Sequence, residues 1–299
     1  MNTNVSITYL VVVLIWSTTP LGILWSSESV HPTMAVLLRM VIAAVLGLIA
    51  ISIGRIKFPF NKTALKLYAY SAIGIFGGMS MAYMSARYLT SGTMSLIFGL
   101  SPLISAILAR KILKEPPFTL LRTISLFVAM AGLVIVCSDN LSLSQGSWLG
   151  LVFILSAVFF FSLGGVLVKS VEISINPLST TVGALLFTLP CFTLVWLLMD
   201  GSLPTSQWSS RSILSILYLG VFGSLIGFVC YYFILQKLAA STVALVTLMT
   251  PVIALVIGAT FNQETISEKL IIGAILVMVG LAMFLYGDRI NRHIARLRM

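Results

Sequence analysis

Charge is what this sequence has least of. Charged side chains make up 9% of its 299 residues, against 59% hydrophobic ones. A soluble domain carries roughly a quarter charged residues, so a chain this depleted belongs in a bilayer and not around a soluble core. Carboxylates are scarcer still, at eight, and all of them fall in loops or near the ends of apolar runs. None pair in a way that suits metal-dependent prenyl transfer. The two histidines, His31 and His293, are far apart and form no HExxH motif. Cys137, Cys191 and Cys230 sit singly in apolar runs with no CxxC pair, which implies buried thiols and neither a disulfide framework nor a metal site. Gly164 to Ser170, GGVLVKS, departs from the GxxxxGK[ST] spacing of a phosphate loop, so ATP does not drive this chain directly. A nucleophile with its base is also missing, so the sequence predicts no enzyme, no metal and no cofactor.

Long apolar runs are abundant. A helical span needs about 20 mostly apolar residues. Ten such segments are expected, near 6–25, 33–54, 65–87, 91–111, 119–138, 147–169, 178–199, 211–236, 240–261 and 268–287. The leading MNTNVS has no basic stretch, so the first segment reads as a retained span and not as a signal peptide.

The net charge of +10 would suit nucleic acid, but its placement suits a membrane. With both termini in the cytoplasm, fourteen basic residues fall inside: Arg55, Lys57, Lys62, Lys66, Arg110, Lys111, Lys114, Arg122, Lys169, Lys237, Arg289, Arg292, Arg296 and Arg298. Three fall outside, Arg87, Arg211 and Lys269, and Arg39 is left within a span. The positive-inside rule then predicts an inner-membrane protein with cytoplasmic termini. The expected partners are a small-molecule substrate and the lipid bilayer, with no nucleic acid. The basic tail, 288–299, is expected to meet anionic headgroups. The sequence sets no oligomeric state.

A repeat runs along the chain. Gly78 to Glu115 aligns without a gap on Gly227 to Glu264, so that Tyr83 meets Tyr232, Thr93 meets Thr242, Pro102 meets Pro251 and Glu115 meets Glu264. Upstream, GIFGG (74–78) resembles GVFGS (220–224), Trp16-Ser17 matches Phe161-Ser162 and Pro32 matches Pro177. Gly132-Leu133 matches Gly280-Leu281. Each half holds five spans, repeat 1 over 1–140 and repeat 2 over 147–287. Five is odd, so the second half enters the membrane upside down. Charge agrees: Arg110, Lys111 and Lys114 follow span four, whereas Ala259, Thr260 and Gln263 stand at the equivalent places after span nine. The expected fold is an all-α integral membrane protein of ten transmembrane helices, built as two inverted five-helix repeats. Such repeats meet around a midplane site and expose it to alternate sides by rocking.

These features resemble the drug/metabolite transporter superfamily, in its EamA branch. The residues that carry the resemblance are Trp16-Ser17 in span one, Arg39 in span two, and Pro102 and Pro251 in spans four and nine. The family often has glycine where this chain has Ser17. The resemblance implies an inner-membrane carrier that exports amino acids or related small metabolites, the alternatives being a channel or structural membrane protein and, after these, an integral-membrane enzyme.

Several residues are candidates for the work. Trp16, Ser17, Thr18 and Thr19 interrupt an otherwise oily run, with Pro20 loosening the helix; they are expected to line a cavity, the alternative being hydroxyls bonded back to their own helix. Arg39 is the one charge well inside a span, seven residues after Pro32. It is expected at a cavity, where it would favour an anionic substrate group, the alternative being a side chain that snorkels to headgroups. Tyr83 with Arg87, and Tyr232 with Gln236, are expected to form a polar stripe along spans three and eight that binds substrate. Pro102 and Pro251 are expected to interrupt their spans as hinges or cavity walls. The glycines of GIFGG and GVFGS read as close-packing contacts. Glu115 and Glu264 read as solvated helix-end charges. No titratable group lies near the midplane, so weak or no proton coupling is expected.

Overall fold

In a bilayer every backbone N–H and C=O must be satisfied within the chain, which leaves helices as the natural solution for these apolar runs. The computed structural model describes residues 3–114, 119–143, 147–171, 173–238, 243 and 246–297, and among them all regular structure is helical. Six segments are long and apolar enough to cross a membrane: Val5–Ser26, Pro32–Ile53, Ser91–Ile112, Ser147–Lys169, Pro177–Met199 and Ser210–Lys237. Shorter apolar helices cover Leu120–Val136 and Met249–Asn262.

In chain order the helices are α1 (Thr3–Ser26), α2 (Pro32–Ile53), α3 (Lys62–Ser85), α4 (Ser91–Phe98), α5 (Ser101–Ile112), α6 (Leu120–Leu143), α7 (Ser147–Lys169), α8 (Pro177–Met199), α9 (Ser210–Tyr218), α10 (Gly227–Lys237), α11 (Val246–Asn262) and α12 (Glu268–Leu297). Between α9 and α10 the helix is not broken but widened into a π-helical stretch, Leu219–Ile226. Local chemistry sets the starts. Asn61 accepts from Ala64 N at 2.8 Å to cap α3, and Thr90 accepts from Thr93 N at 3.3 Å to cap α4. Pro32 and Pro177 open α2 and α8, where a missing N–H costs nothing.

Two expected boundaries shift. α6 runs on to Leu143 through the polar stretch after residue 138, and α12 continues through the basic tail to Leu297; neither extension contains a proline to stop it. The expected start of the ninth span at 240 lies outside the described residues. Pro102 and Pro251 also differ. α4 ends at Phe98, and Gly99 and Leu100 turn the chain into α5. Pro102 cannot bond the Phe98 carbonyl four residues back, and Ser101 Oγ takes that acceptor at 2.6 Å. Pro251, by contrast, lies inside a continuous α11, so the expectation that it interrupts its span is corrected.

Lipid offers no hydrophobic driving force between helices, so close approach through small residues holds them together. α3 crosses α7 at Gly74 and Gly164: a Cβ at Gly164 would lie 2.5 Å from Gly74 Cα. α6 and α12 cross at Gly132, Gly273 and Gly280, where a Cβ at Gly280 would lie 2.6 Å from Ala129 N. α8 packs on α2 and α3, α11 on α1 and α4, and α7 on α5. Large apolar side chains such as Leu14, Val45, Phe127, Leu194 and Val256 face outward, as the lipid-facing side of a bundle requires. The burial also fixes which face of α1 is which: Val12 is fully buried and Leu14 is 62% exposed.

Candidate functional site

A cavity of about 70 Å³ lies where α1, α2, α3 and α4 meet α7, the π-helical stretch and α11. That is room for a few water molecules. From α1 it is lined by Trp16, Thr19, Pro20 and Ile23; from α2 by Arg39; and from α3 and α4 by Met79, Ala82, Met94, Ser95 and Phe98. Phe161, Gly223 and Thr250 complete it from the second half of the chain.

The span-one cluster divides. Ser17 Oγ donates to Val13 O at 2.7 Å, Thr18 Oγ1 to Ile15 O at 2.8 Å and Thr19 Oγ1 to Ile15 O at 2.8 Å. All three hydroxyls thus bond back to their own helix, which lets polar groups sit in an apolar environment without loss. Thr19 also reaches the cavity lining; Ser17 and Thr18 do not. Thr18 instead shares a 2.6 Å hydrogen bond with Tyr218 OH. Three consecutive residues of an α-helix point in three directions, so a run of hydroxyls cannot all face one cavity.

Arg39 is fully buried, so it does not snorkel. Its Nε donates to Ser224 Oγ at 2.6 Å. Nη1 and Nη2 are buried without a hydrogen-bond partner among the described residues, and the side chain borders the cavity. Gly223 leaves it space, for a Cβ there would lie 3.0 Å from Nη2. Ser224 and Gly223 both belong to the π-helical stretch, a winding that often marks functional sites.

The tyrosine stripe separates into two places, which corrects the expectation of one shared site. Tyr83 is fully buried on α3, and Ser26 Oγ approaches its hydroxyl at 3.5 Å. Arg87 lies beyond the end of α3, at Ser85, and is exposed. Tyr232 and Gln236 border a second, roomier cavity of about 310 Å³ with Leu67, Lys169, Ser174 and Thr180. Gln236 Nε2 also donates to Ile175 O at 2.7 Å, tying α10 to the connection before α8. Trp16 and Phe161, from the lining of the first cavity, cluster with Tyr231, which packs on Tyr232 of the second, with ring centroids 5.2–5.6 Å apart. Pro102 and Pro251 line neither cavity.

The opposite end of the bundle is tied shut by polar groups. Glu264 accepts from Ser91 N at 3.0 Å and Gly92 N at 3.1 Å, at the start of α4, where a carboxylate meets both free N–H groups and the positive end of the helix dipole. Asn262 Nδ2 donates to Glu264 at 3.1 Å, and Trp25 Nε1 to Asn262 Oδ1 at 2.9 Å. Arg211 pairs with Glu28 at 3.2 Å. Glu264 is therefore half-buried and fully engaged, not merely solvated. Glu115 lies outside the described residues.

Sequence reasoning missed Met79, Met94, Ser95, Phe98 and Phe161, whereas Thr250, singled out with Pro251 as a hinge or cavity wall, does line the cavity. A signal existed for Phe161, since it is the repeat mate of Trp16, and the two rings meet edge to face at 5.5 Å. No spacing announces Met79 or Met94. With Cys137, Cys191 and Cys230 replaced, Thr19→Cys and Ser95→Cys are expected to react with a small polar thiol reagent, and Ser17→Cys to stay as inert as lipid-facing Leu14→Cys. Equal inertness at all four positions would show that water does not reach this cavity.

Comparisons bear on these two cavities. The model of the EamA-like transporter family matches residues 4–138 and, separately, 148–286. A protein described as an uncharacterized transporter of Archaeoglobus fulgidus is 25% identical over 268 residues, covering 89% of this chain and 93% of its own length. A probable amino-acid metabolite efflux pump of Salmonella typhimurium is 27% identical over 172 residues, covering 55% of this chain and 58% of its own. One solved crystal structure shares the fold with a TM-score of 0.65 at 16% identity, covering 95% of this chain and 96% of that one.

Proposed function

The chain belongs to the EamA-like transporter family, and from that membership and its central cavity we propose that it is a secondary carrier that exports amino acids or related small metabolites by alternating access. It is a multi-pass membrane protein of a transporter family; the cargo, the direction and the mechanism are the proposal. The observation that carries it is the cavity itself, built from both halves of a chain whose two halves each match the same family model.

Ten spans in two inverted repeats are part of this reading, and several pairs support it. Gly132 packs on Val277 while its mate Gly280 packs on Ala129, as a two-fold axis between α6 and α12 would place them. Gly78 approaches Phe161, and Gly227 approaches Trp16, mate on mate. Lys114 and Gln263, 149 residues apart in number, adopt the same left-handed backbone, with φ of 56° and 51°. In this reading the end bearing Lys57 and Lys169 is cytoplasmic, the larger cavity is the inner vestibule and the Glu264 network is the outer seal. Trp16, Thr19, Pro20 and Arg39 serve the central site, and Tyr232 and Gln236 the vestibule. Ser17, Thr18 and Tyr83 act by holding helices in place. A C-terminal reporter active only outside the cytoplasm would overturn the orientation.

The deciding experiment is flux. Purified protein in liposomes is expected to take up labelled neutral amino acids with saturation, and unlabelled amino acids preloaded inside are expected to accelerate uptake. A rate that rises linearly with concentration would mean a channel instead.

A further inference from the structure

We propose that Arg39, held at Nε by Ser224, is the receptor for a carboxylate on the transported molecule, gripping both carboxylate oxygens through Nη1 and Nη2. The inference rests on the carrier reading of the same cavity and names the chemistry of its cargo.

A guanidinium has five N–H donors in a planar fork. Ser224 satisfies the one on Nε. The remaining four are on Nη1 and Nη2, buried beside the cavity without a protein partner among the described residues. A buried cation without a counter-charge is expensive, and a group in that state is poised for one that arrives with a ligand. The fork matches a planar carboxylate, which accepts two parallel hydrogen bonds. Ser224 acts on Nε from the far side, so it fixes the plane of the fork without competing for it, as a positioning residue.

The repeat strengthens the assignment. Arg39 corresponds to Ala184, and Ser224 has no counterpart once Gly78 is paired with Gly227. Two positions at which the halves differ thus meet at 2.6 Å. Packing alone would have kept the small residue that serves in the other half. What surrounds the fork sets the rest of the ligand. Pro20, Ile23, Met79 and Phe98 offer an apolar wall, and Ser95 and Thr250 offer hydroxyls. Among the described residues no carboxylate borders the cavity, so a cationic side chain finds no partner among them and is repelled by Arg39. The best fit to the cavity as it stands, at about 70 Å³, is a small monocarboxylate; a neutral α-amino acid requires the cavity to widen.

The test is binding by the purified full-length protein, read as a rise in melting temperature. The probes are acetate, propionate, benzoate, leucine and phenylalanine, each against its amide, with inorganic phosphate and chloride alongside. At least one carboxylate is expected to stabilise the protein by a few degrees while its amide does not. Arg39→Gln is expected to abolish that difference, and Ser224→Ala, which keeps the charge, to weaken it severalfold in concentration. Carboxylates no better than amides, or an undiminished preference in either variant, would overturn the proposal. Equal stabilisation by phosphate or chloride would overturn it too, as a general anion site. Binding without flux would instead sink the carrier reading and leave the receptor standing; flux of a cargo that needs no carboxylate would do the reverse.

Discussion

Arg39→Ala protein is expected to reach the membrane in normal amount and to carry its substrate about ten- to a hundredfold more slowly, the span set by about 1.5–3 kcal/mol for hydrogen bonds to a charged group. The two halves of that expectation have one cause. In the free protein Arg39 is buried with two nitrogens unpaired, so its removal relieves a desolvation cost and leaves only Ser224 without its partner. A structural arginine would behave in the opposite way, lowering stability as it lowered activity. Arg39→Lys is expected to fall between, because an ammonium keeps the charge but offers neither the fork nor an Nε for Ser224. Full flux by Arg39→Ala, or loss of flux that only mirrors loss of protein from the membrane, would remove Arg39 from the site.

The second large effect concerns assembly. Gly164→Ala is expected to destabilise the protein by about 3 kcal/mol or more, a fall of roughly 5–10 °C in melting temperature. The added Cβ would lie 2.5 Å from Gly74 Cα and 2.7 Å from Gly74 N. Backbone cannot step aside as a side chain can, so α3 and α7 must part along their length. Gly78→Ala, on the same seam, meets nothing nearer than Phe161 Cβ at 3.4 Å and is expected to be tolerated. Equal tolerance of both would show that the two helices are not locked at this crossing. Melting of the purified variants, with membrane abundance as a check, decides it.

How much of this was legible in the residues depends on distance along the chain. Apolar length marked the membrane segments, and Pro32 and Pro177 marked two helix starts. The break near Pro102 was legible because proline withdraws a donor, yet the same residue type at 251 leaves α11 continuous. The difference lies at Gly99 and Leu100, which turn the chain before Pro102. Arg39 stood out as an isolated charge, but its partner is 185 residues away, and no local pattern encodes such a pair. Tyr83 and Tyr232 were grouped because they align. In the inverted-repeat reading, aligned residues go to opposite ends of a bundle unless both lie at its centre, so the alignment itself argued against one shared site. Trp16 and Phe161 are the contrasting case: aligned and central, they touch.

The π-helical stretch lies where the spacing of the two halves differs. GIFG (74–77) and GVFG (220–223) align at a difference of 146 in number, whereas Gly78 and Gly227, which approach Phe161 and Trp16, differ by 149. Three residues are therefore surplus in the second half, and they sit within a spanning helix of 28 residues where no loop can absorb them. A membrane helix cannot bulge into lipid with unpaired backbone, so the surplus is taken up by wider winding over Leu219–Ile226. Within that winding Ser224 meets Arg39 of α2, and just after it Gly227 meets Trp16 of α1. A duplication with equal halves would offer matching walls on both sides of the cavity. In the carrier reading, that inequality gives the cavity two unlike walls.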